Sequence, residues 1–313
     1  MCNGAKPAGM TGAVAFVLGS TARREVLLRL ADGDDSGRDV VVACDASESA
    51  VYDALGRLTD RGFVAETNEG DWGLTGAGRL VADTVQRCER LDGVIGGDTE
   101  YWANHDPTGL PASFRRSIDR LECCDVVRSP DTDPYRAARR VERAIEEART
   151  VAIVAPVYSD RHAEALLGSD AERSRLVMTP QMASRVVEDE PAGPDADLGD
   201  LSIRVQSAGI SMTVTDERLL FSLPTPAGSF DATSEVVADG DAAIEWGRSL
   251  FEQYWERGTP VGQWLATEHP HAATPGQIQD TAEIDDAGPS SSDDGGVLGR
   301  TGDAETSGPV DDE

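Results

Sequence analysis

Residues 45–75 carry a regular pattern of apolar and polar positions that predicts a helix followed by a hairpin. The apolar positions of the helix recur at the spacing that 3.6 residues per turn requires, and they are Val51, Ala54, Leu55 and Leu58. Asp45 and Ser47 stand before them as helix-capping residues, because their side-chain oxygens accept from unpaired backbone N–H groups. Gly62 is expected to end the helix.

The hairpin follows directly. Residues 63–67 and 72–74 have strand composition, and residues 68–71 between them have turn composition. A helix followed by a hairpin is typical of a winged helix, in which the helix enters the major groove of DNA and the hairpin approaches the neighbouring backbone. Trp72 in this hairpin is expected to pack on the domain core rather than on DNA.

The segments around this unit predict further helices. Ser20 or Thr21 is expected to cap a helix over residues 23–30. Residues 40–44 suit either a strand, because three are β-branched, or the first helix of a helix-turn-helix, and we favour a short helix. A helix over 75–91 either extends the first domain or forms a dimer seam, and glycines in 92–98 predict a joint after it.

The second half alternates between helical and strand patterns. Its predicted helices are 111–121, 135–148, 160–167 and 242–255, and its predicted strands are 150–156, 176–178, 201–205, 210–215 and 219–223. The strand at 150–156 is continuously apolar, as expected when both sides are buried. Such alternation predicts an α/β domain with a central sheet.

These patterns divide the chain into four parts. We expect a disordered N-terminus at 1–11, a winged helix domain with its linker helix at 12–95, an α/β effector domain at 96–265 and an acidic disordered tail at 266–313. The predicted fold class is an α+β winged helix-turn-helix domain followed by an α/β sensor domain. Residues 189–200 read as an acidic loop.

The charge balance is unusual, because the formal net charge is -29 and Lys6 is the only lysine. Dense carboxylates with almost no lysine indicate a halophilic protein, with an acidic protein of ordinary origin as the alternative. Acidity normally opposes DNA binding. In multimolar salt the Debye length falls below about 3 Å, so short-range contacts decide. Without lysine, a phosphate-loop, Schiff-base or kinase mechanism has no candidate residue.

The sequence also bears on the location of the protein, on its cysteines and on cofactors. No apolar run approaches the roughly 20 residues that span a bilayer, and no secretory signal pattern is visible, so we expect a cytoplasmic protein without a membrane partner. The five cysteines are scattered and form no C-x-x-C pair, which favours buried or free thiols. The sequence predicts no metal site and no cofactor.

Several motifs together resemble a known family. Residues 46–55 and 58–64 look like its recognition helix and the turn into its wing. In the second half, residues 101–106 followed by 109–111 look like its entry motif, and residues 244–255 look like its terminal helix. Over residues 12–265 the chain resembles haloarchaeal winged helix-turn-helix transcription regulators that carry the middle domain of the methanogenesis regulatory protein.

The resemblance implies sequence-specific binding to double-stranded DNA, a homodimer, and a second domain that senses a small-molecule effector. Related archaeal sugar-responsive regulators have a phospholipase D-like fold in that domain. The phospholipase D catalytic motif requires a histidine and a lysine at fixed spacing, and the second half contains no lysine. We therefore expect no enzyme of that kind.

Seven residues on or near the predicted recognition helix are the candidate DNA contacts, namely Ser47, Glu48, Ser49, Tyr52, Asp53, Arg57 and Arg61. Ser47, Ser49 and Tyr52 are the preferred ones, with capping and ordinary surface as the alternative. Arg57 and Arg61 either contact phosphate or pair with neighbouring carboxylates. Glu48 and Asp53 depart from the resemblance, because family members often have basic residues there.

Four residues are candidate ligand contacts. His105 and Asp106 stand at the entry to the second domain. The alternative to ligand binding there is a structural role, with His105 hydrogen-bonded in the loop before Pro107. Tyr158 and Ser159 follow a buried strand, at the place where open α/β sheets bind ligands. The alternative to ligand binding is a strand-to-helix turn in which Ser159 or Asp160 caps the helix.

The sequence is compatible with three classes of function. The first is a DNA-binding transcriptional regulator. The second is a module that binds other proteins, since many winged helices do so. The third is an α/β hydrolase-like enzyme, for which no Ser-His-Asp spacing, metal cluster or phosphate loop is visible.

Overall fold

A computed structural model describes residues 12–33, 35–67, 70–189 and 201–268. The predicted disordered N-terminus and all but the first three residues of the predicted acidic tail lie outside the described residues. Most of the predicted acidic loop also lies outside them.

Helices dominate the first half, which ends in a short hairpin and a long helix. The elements are α1 (Ala13–Leu18), α2 (Thr21–Arg29), α3 (Gly37–Ala43), α4 (Glu48–Asp60), β1 (Val64–Glu66), β2 (Trp72–Leu74) and α5 (Gly76–Gly97). The short helix expected at 40–44 is confirmed, as is the predicted helix before the hairpin. A side-chain oxygen caps α2, α3, α4 and α5, and the caps are Ser20, Ser36, Ser47 and Thr75.

Helix α4 is held by its apolar face. Its four predicted apolar positions are at most 1% exposed, so that prediction is confirmed. They pack against α2, and the cluster also includes Leu27 and Val85. The helix ends at Asp60, and Gly62 follows with a φ of 69°, a left-handed conformation that glycine adopts without strain.

The hairpin β1–β2, which we call the wing, is joined to the helices at two places. Val64 pairs with Leu74 and Glu66 pairs with Trp72, in antiparallel register. The Trp72 N–H donates to the Asp35 carbonyl at 2.7 Å, and the Asp35 N–H donates back at 3.0 Å. The Trp72 ring also packs on the first-half core, which confirms the expectation for it. The wing is therefore fixed against the start of α3.

Helix α5 runs from the wing into the second half. It continues as far as Gly97, through the glycines that predicted a joint, and the chain turns at Asp98. Near its start, a methyl group on Gly78 would lie 1.9 Å from the Phe63 carbonyl oxygen, so only glycine permits this approach. The domain boundary near residue 95 stays a prediction.

The second half is built around an eight-stranded sheet. Its helices are α6 (Thr99–Asn104), α7 (Ala112–Arg116), α8 (Arg136–Glu146), α9 (Asp160–Leu167), α10 (Pro180–Asp189), α11 (Asp241–Arg257) and α12 (Val261–Glu268). Its strands are β3 (Asp125–Arg128), β4 (Thr150–Ala155), β5 (Arg173–Met178), β6 (Leu201–Val205), β7 (Ser211–Thr215), β8 (Leu219–Ser222), β9 (Ser234–Ala238) and β10 (Thr259–Pro260). The sequence did not predict α6, α10, α12, β3, β9 or β10.

The strand order is β10-β6-β5-β4-β7-β8-β9-β3, with β4, β5 and β6 mutually parallel and the other pairings antiparallel. Helix α11 covers one face through Trp246 and Phe251, and α8 and α9 cover the other through Ile145 and Leu166. The expected central sheet between helices is confirmed, and the whole molecule is α+β. Among the described residues, no helix is long and apolar enough to cross a bilayer.

The single helix predicted for residues 111–121 is wrong. It is divided into α7 and a 3-10 turn at Ile118–Leu121, with the break at Ser117. The Trp246 indole N–H approaches the Phe114 carbonyl at 3.4 Å and the Ser117 hydroxyl at 3.2 Å. Ser117 also donates to backbone carbonyls of the preceding turn, a contact that competes with helix continuation.

Candidate nucleic-acid interface

Helix α4 turns one polar face to solvent. Six of the seven candidate DNA contacts lie at its start or along that face, and all are exposed; we call them the reading face, namely Ser47, Glu48, Ser49, Tyr52, Asp53 and Arg57. The seventh, Arg61, is exposed just beyond the helix end. Because the opposite face of α4 is fully buried, the reading face has a fixed orientation.

The serines at the start of α4 have local contacts. The Ser47 hydroxyl oxygen accepts from the Ala50 N–H at 3.4 Å and lies 3.3 Å from the Ser49 hydroxyl. Ser47 is thus the cap of α4, which was the alternative to a DNA contact for this residue. A cap uses one lone pair of the hydroxyl, so the contact to Ala50 leaves hydrogen-bonding capacity at both serines.

Both arginines have neighbours within the chain. Arg57 Nε lies 2.8 Å from Asp53 Oδ2, one helical turn away, and both side chains are more than half exposed. An exposed pair of this kind contributes only about 0.3–0.5 kcal/mol, so a phosphate competes with it easily. The Arg61 guanidinium lies 4.3 Å from the centre of the Phe16 ring, a cation–π contact.

Acidic groups outnumber basic ones around α4. The exposed carboxylates are Asp45, Glu48, Asp53 and Asp60, and the exposed guanidinium groups are Arg57 and Arg61. A DNA contact at this surface therefore depends on hydrogen bonding at short range, with little help from net positive charge.

His105 lies in a buried polar cluster of the second half. Its Nδ1 is 2.8 Å from the Tyr101 carbonyl oxygen, its Nε2 is 2.9 Å from Asp231 Oδ2, and its ring stacks on that of Tyr101. Burial alone raises the pKa of Asp231, but hydrogen bonds from Ser234, Thr233 and His105 outweigh burial and lower the pKa to about 2. Each ring nitrogen of His105 thus has an oxygen partner within the chain.

The other three candidate ligand contacts also have structural partners. Asp106 accepts from the Thr108 N–H at 2.8 Å and from its hydroxyl at 2.7 Å. Ser159 caps α9 by accepting from the His162 N–H at 3.4 Å, and Tyr158 packs against the core beneath α8 and α9.

All four candidate ligand contacts stand at one edge of the sheet. Strands β4 and β8 are both antiparallel to β7, so their carboxyl ends share an edge. Tyr158 and Ser159 follow β4, and the loop that contacts His105 follows β8. The structure thus brings His105 and Asp106 to the same edge of the sheet as Tyr158 and Ser159. The polar groups of His105, Asp106 and Ser159 make hydrogen bonds within the chain.

Sequence reasoning missed two carboxyl groups near this edge. Asp231, the partner of His105, is 126 residues away along the chain, and no local pattern signals such a pair. Glu235 in β9 is 8% exposed; burial, with a smaller contribution from the Asp231 charge, raises its pKa to about 8. A lone glutamate in a short apolar strand would have been the only signal.

The described ranges also show how the possible metal ligands and four of the cysteines are arranged. Within them, no group of three or more His, Cys, Asp or Glu side chains is placed to hold a metal ion. Four of the cysteines carry free thiols, which confirms that expectation for Cys44, Cys88, Cys123 and Cys124.

Two family models match the chain. Residues 11–93 match the HVO_A0261 N-terminal domain, and residues 134–257 match the middle domain of the methanogenesis regulatory protein FilR1. The FilR1 of Methanothrix harundinacea (strain 6Ac) is 20% identical over 264 residues, which cover 81% of this chain and 59% of that protein. The chain thus spans 59% of the length of that relative. The resemblance drawn from the sequence motifs is confirmed.

Solved structures offer weaker likenesses. TrmBL2, described as an archaeal chromatin protein with a novel mode of DNA binding, is 14% identical, covers 76% of this chain and 93% of its own, and has a TM-score of 0.35. Nuc of Salmonella typhimurium, a phospholipase D family member, is 18% identical, covers 44% of this chain and 96% of its own, and has a TM-score of 0.33. At such TM-scores neither likeness defines the fold of this protein.

Proposed function

We propose that this chain, which joins an HVO_A0261 N-terminal domain to a methanogenesis-regulatory-protein middle domain, is a transcriptional regulator that binds specific DNA sequences. The observation that carries the proposal is the reading face of α4, exposed and polar beside the wing, on a helix whose other face is buried. Such a helix fits the major groove, while the wing approaches the backbone. DNA as partner agrees with the expected cytoplasmic location.

The test is binding of the full chain to duplex DNA from its own promoter region, in concentrated potassium chloride, followed by footprinting. The variant Ser49→Ala with Tyr52→Ala should lose most of the sequence-dependent footprint. A matched control is Ser113→Ala with Tyr135→Ala, since Ser113 is exposed and Tyr135 is 56% exposed against 49% for Tyr52. Equal footprints for both double variants would contradict the proposal.

The second half is proposed to sense an effector or to mediate dimerisation, and not to be an enzyme. A dimer seam on α5, the last helix of the first half, is a separate proposal, supported by Leu80 and Ile95, which are 72% and 40% exposed along that helix. Light scattering of the wild type and of Leu80→Glu tests this part of the proposal: a dimer that becomes a monomer is expected, and a wild-type monomer contradicts it. The phospholipase D-like form of the sheet also stays a proposal, and an experimental structure tests it.

A second candidate, a module that binds a basic protein, is favoured by Glu48 and Asp53 on the reading face. It predicts that Glu48→Gln with Asp53→Asn abolishes capture of a partner while leaving DNA affinity undiminished. The same variant strengthens DNA binding if the reading face contacts DNA, because two carboxylates next to phosphate are removed.

A further inference from the structure

A cleft of about 740 Å³ lies between helix α5 and the loop that leads into strand β3. We call it the α5 cleft; Arg90 and Gly93 line it from the helix, and residues 122–125 line it from the loop. The helix and the loop approach each other closely, because a methyl group on Gly97 would lie 3.7 Å from the Cys124 carbonyl oxygen. An occupant of the cleft therefore contacts both α5 and the second half.

Two consecutive cysteines, which we call the dithiol, stand on the loop side of the α5 cleft. Cys123 is exposed, and Cys124 is half-buried against the core of the second half. Among the residues that the structure describes, Cys123 is the only one other than glycine with a left-handed backbone, at a φ of 61°. That conformation costs roughly 1–2 kcal/mol. The loop thus presents two thiols to one cleft in spite of a backbone cost.

A direct disulfide within the dithiol is disfavoured. Consecutive Cα atoms lie about 3.8 Å apart, which is below the usual separation of about 4.4–6.8 Å across a disulfide. Both thiols are free in the structure. A single atom that bonds to both sulfurs lengthens the bridge and relieves this constraint. The dithiol is therefore better suited to hold a bridging atom than to form a disulfide.

We propose that Cys123 and Cys124 form a binding site in the α5 cleft for trivalent arsenic, as the representative of small neutral compounds that bond to two thiols. In the binding step two S–As bonds form and two As–OH bonds of arsenous acid break. The two thiol protons leave with the hydroxyl groups as two water molecules, and no electrons are transferred. The inference does not depend on the proposed DNA binding.

The dithiol matches an atom that needs two protein ligands. Arsenic that is bonded to two sulfurs keeps its third hydroxyl group, so it requires no third side chain. A structural zinc ion, in contrast, takes four ligands. Within the described ranges, no group of three or more His, Cys, Asp or Glu side chains is placed to hold a metal ion. The site therefore favours arsenic over zinc.

The surroundings of the dithiol disfavour peroxide and anionic reagents. Burial raises the pKa of the Cys124 thiol to about 11, so this thiol is protonated at neutral pH, whereas oxidation by peroxide requires a thiolate. The carboxylates of Glu122 and Asp125 flank the dithiol. The Arg90 guanidinium lines the same cleft but pairs with Asp119 at 2.9 Å. Arsenous acid is uncharged at neutral pH, so it enters this acidic cleft without repulsion.

The experiment titrates the full chain with sodium arsenite in the presence of a phosphine reductant. Intact mass counts bound arsenic, and the neutral reagent N-ethylmaleimide counts the thiols that remain reactive. The wild type should bind one arsenic per chain and protect two thiols. Cys123→Ser and Cys124→Ala should each bind at least about a hundredfold more weakly, because the second bond is intramolecular when both thiols are present. Zinc chloride in place of arsenite should protect neither thiol.

The matched control removes the three cysteines outside the dithiol. Cys2→Ser with Cys44→Ser and Cys88→Ser should bind arsenic as the wild type does. Loss of binding in this triple variant, or wild-type affinity in Cys123→Ser, would place the site elsewhere and overturn the inference. Protection of the dithiol by zinc would overturn the assigned ligand class. If Cys124→Ala lowers the melting temperature, Cys123→Ser decides, because that residue is exposed.

Discussion

The reading face of α4 and the His105 cluster both contain polar residues expected to bind something, and they differ in how their hydrogen bonds are used. On the reading face, the side-chain contacts of Ser47, Ser49, Asp53 and Arg57 are local and exposed. In the His105 cluster, each nitrogen of the imidazole has a buried partner within the chain. Polar groups with unused capacity at the surface are free to bind a partner, whereas polar groups that are paired within the chain stabilise the fold.

The largest expected effect tests the His105 cluster. Asp231→Ala removes the carboxylate that contacts the His105 ring and accepts from the Thr233 and Ser234 hydroxyl groups, so the free energy of unfolding should fall by ~3 kcal/mol or more. Urea unfolding at neutral pH measures this. Asp106→Ala, which loses only exposed contacts with Thr108, is the control and should cost about 1 kcal/mol at most. Equal losses would show that burial does not distinguish the two carboxylates.

The next effect concerns pH and Glu235. The folded pKa of about 8 is above the ordinary value of 4.5, so the protonated carboxyl contributes stability below 4.5 that is lost as pH rises through 8. Glu235→Gln should therefore stabilise the protein at pH 8 by at most ~5 kcal/mol, at ~1.4 kcal/mol per pKa unit.

The same variant should gain little at pH 4.5, where the wild-type carboxyl is also neutral. Glu48→Gln on the exposed reading face is the matched control and should change stability little at either pH. A stabilisation by Glu235→Gln that is the same at both pH values would contradict the assigned cause.

A smaller effect separates capping from DNA contact at Ser47. Ser47→Ala should lower the free energy of unfolding by ~1 kcal/mol because it removes the cap of α4. Ser47→Asn restores a capping oxygen without adding charge and should regain that stability. If DNA affinity follows stability in the two variants, Ser47 acts only as a cap. A Ser47→Asn protein that is stable but binds DNA poorly shows that the Ser47 hydroxyl contacts DNA.

The smallest effect concerns the Asp53–Arg57 pair. Asp53→Ala should change the free energy of unfolding by less than ~0.5 kcal/mol, because the pair is exposed. DNA affinity should rise severalfold, since Arg57 is released toward phosphate and a carboxylate is removed. Asp83→Ala removes one exposed acidic charge from α5 and should leave DNA affinity nearly unchanged. Equal gains in both variants would indicate net charge rather than release of Arg57.

How much was predictable from the sequence differs between the two halves. The apolar period of α4 and the turn residues of the wing are local signals, so helix and hairpin were found. Strands β3 and β9 were missed, because β3 begins and ends on charged residues and β9 contains a buried glutamate. The break at Ser117 depends on Trp246, which is far away in sequence.

In the candidate sites, too, the sequence predicted local features and missed contacts between distant residues. Periodicity predicted which residues of α4 are exposed. It gave no signal that His105 meets Asp231, because this contact arises from tertiary packing between separate elements.

The central claim is that the reading face of α4 binds specific DNA sequences, and genome-wide occupancy of the full chain in the cells that make it tests this most directly. The wild type should occupy a limited set of promoter sites that share a sequence motif. Tyr52→Ala should lose those sites, and Tyr135→Ala should keep them. Occupancy without a shared motif, or unchanged by Tyr52→Ala, would contradict the claim.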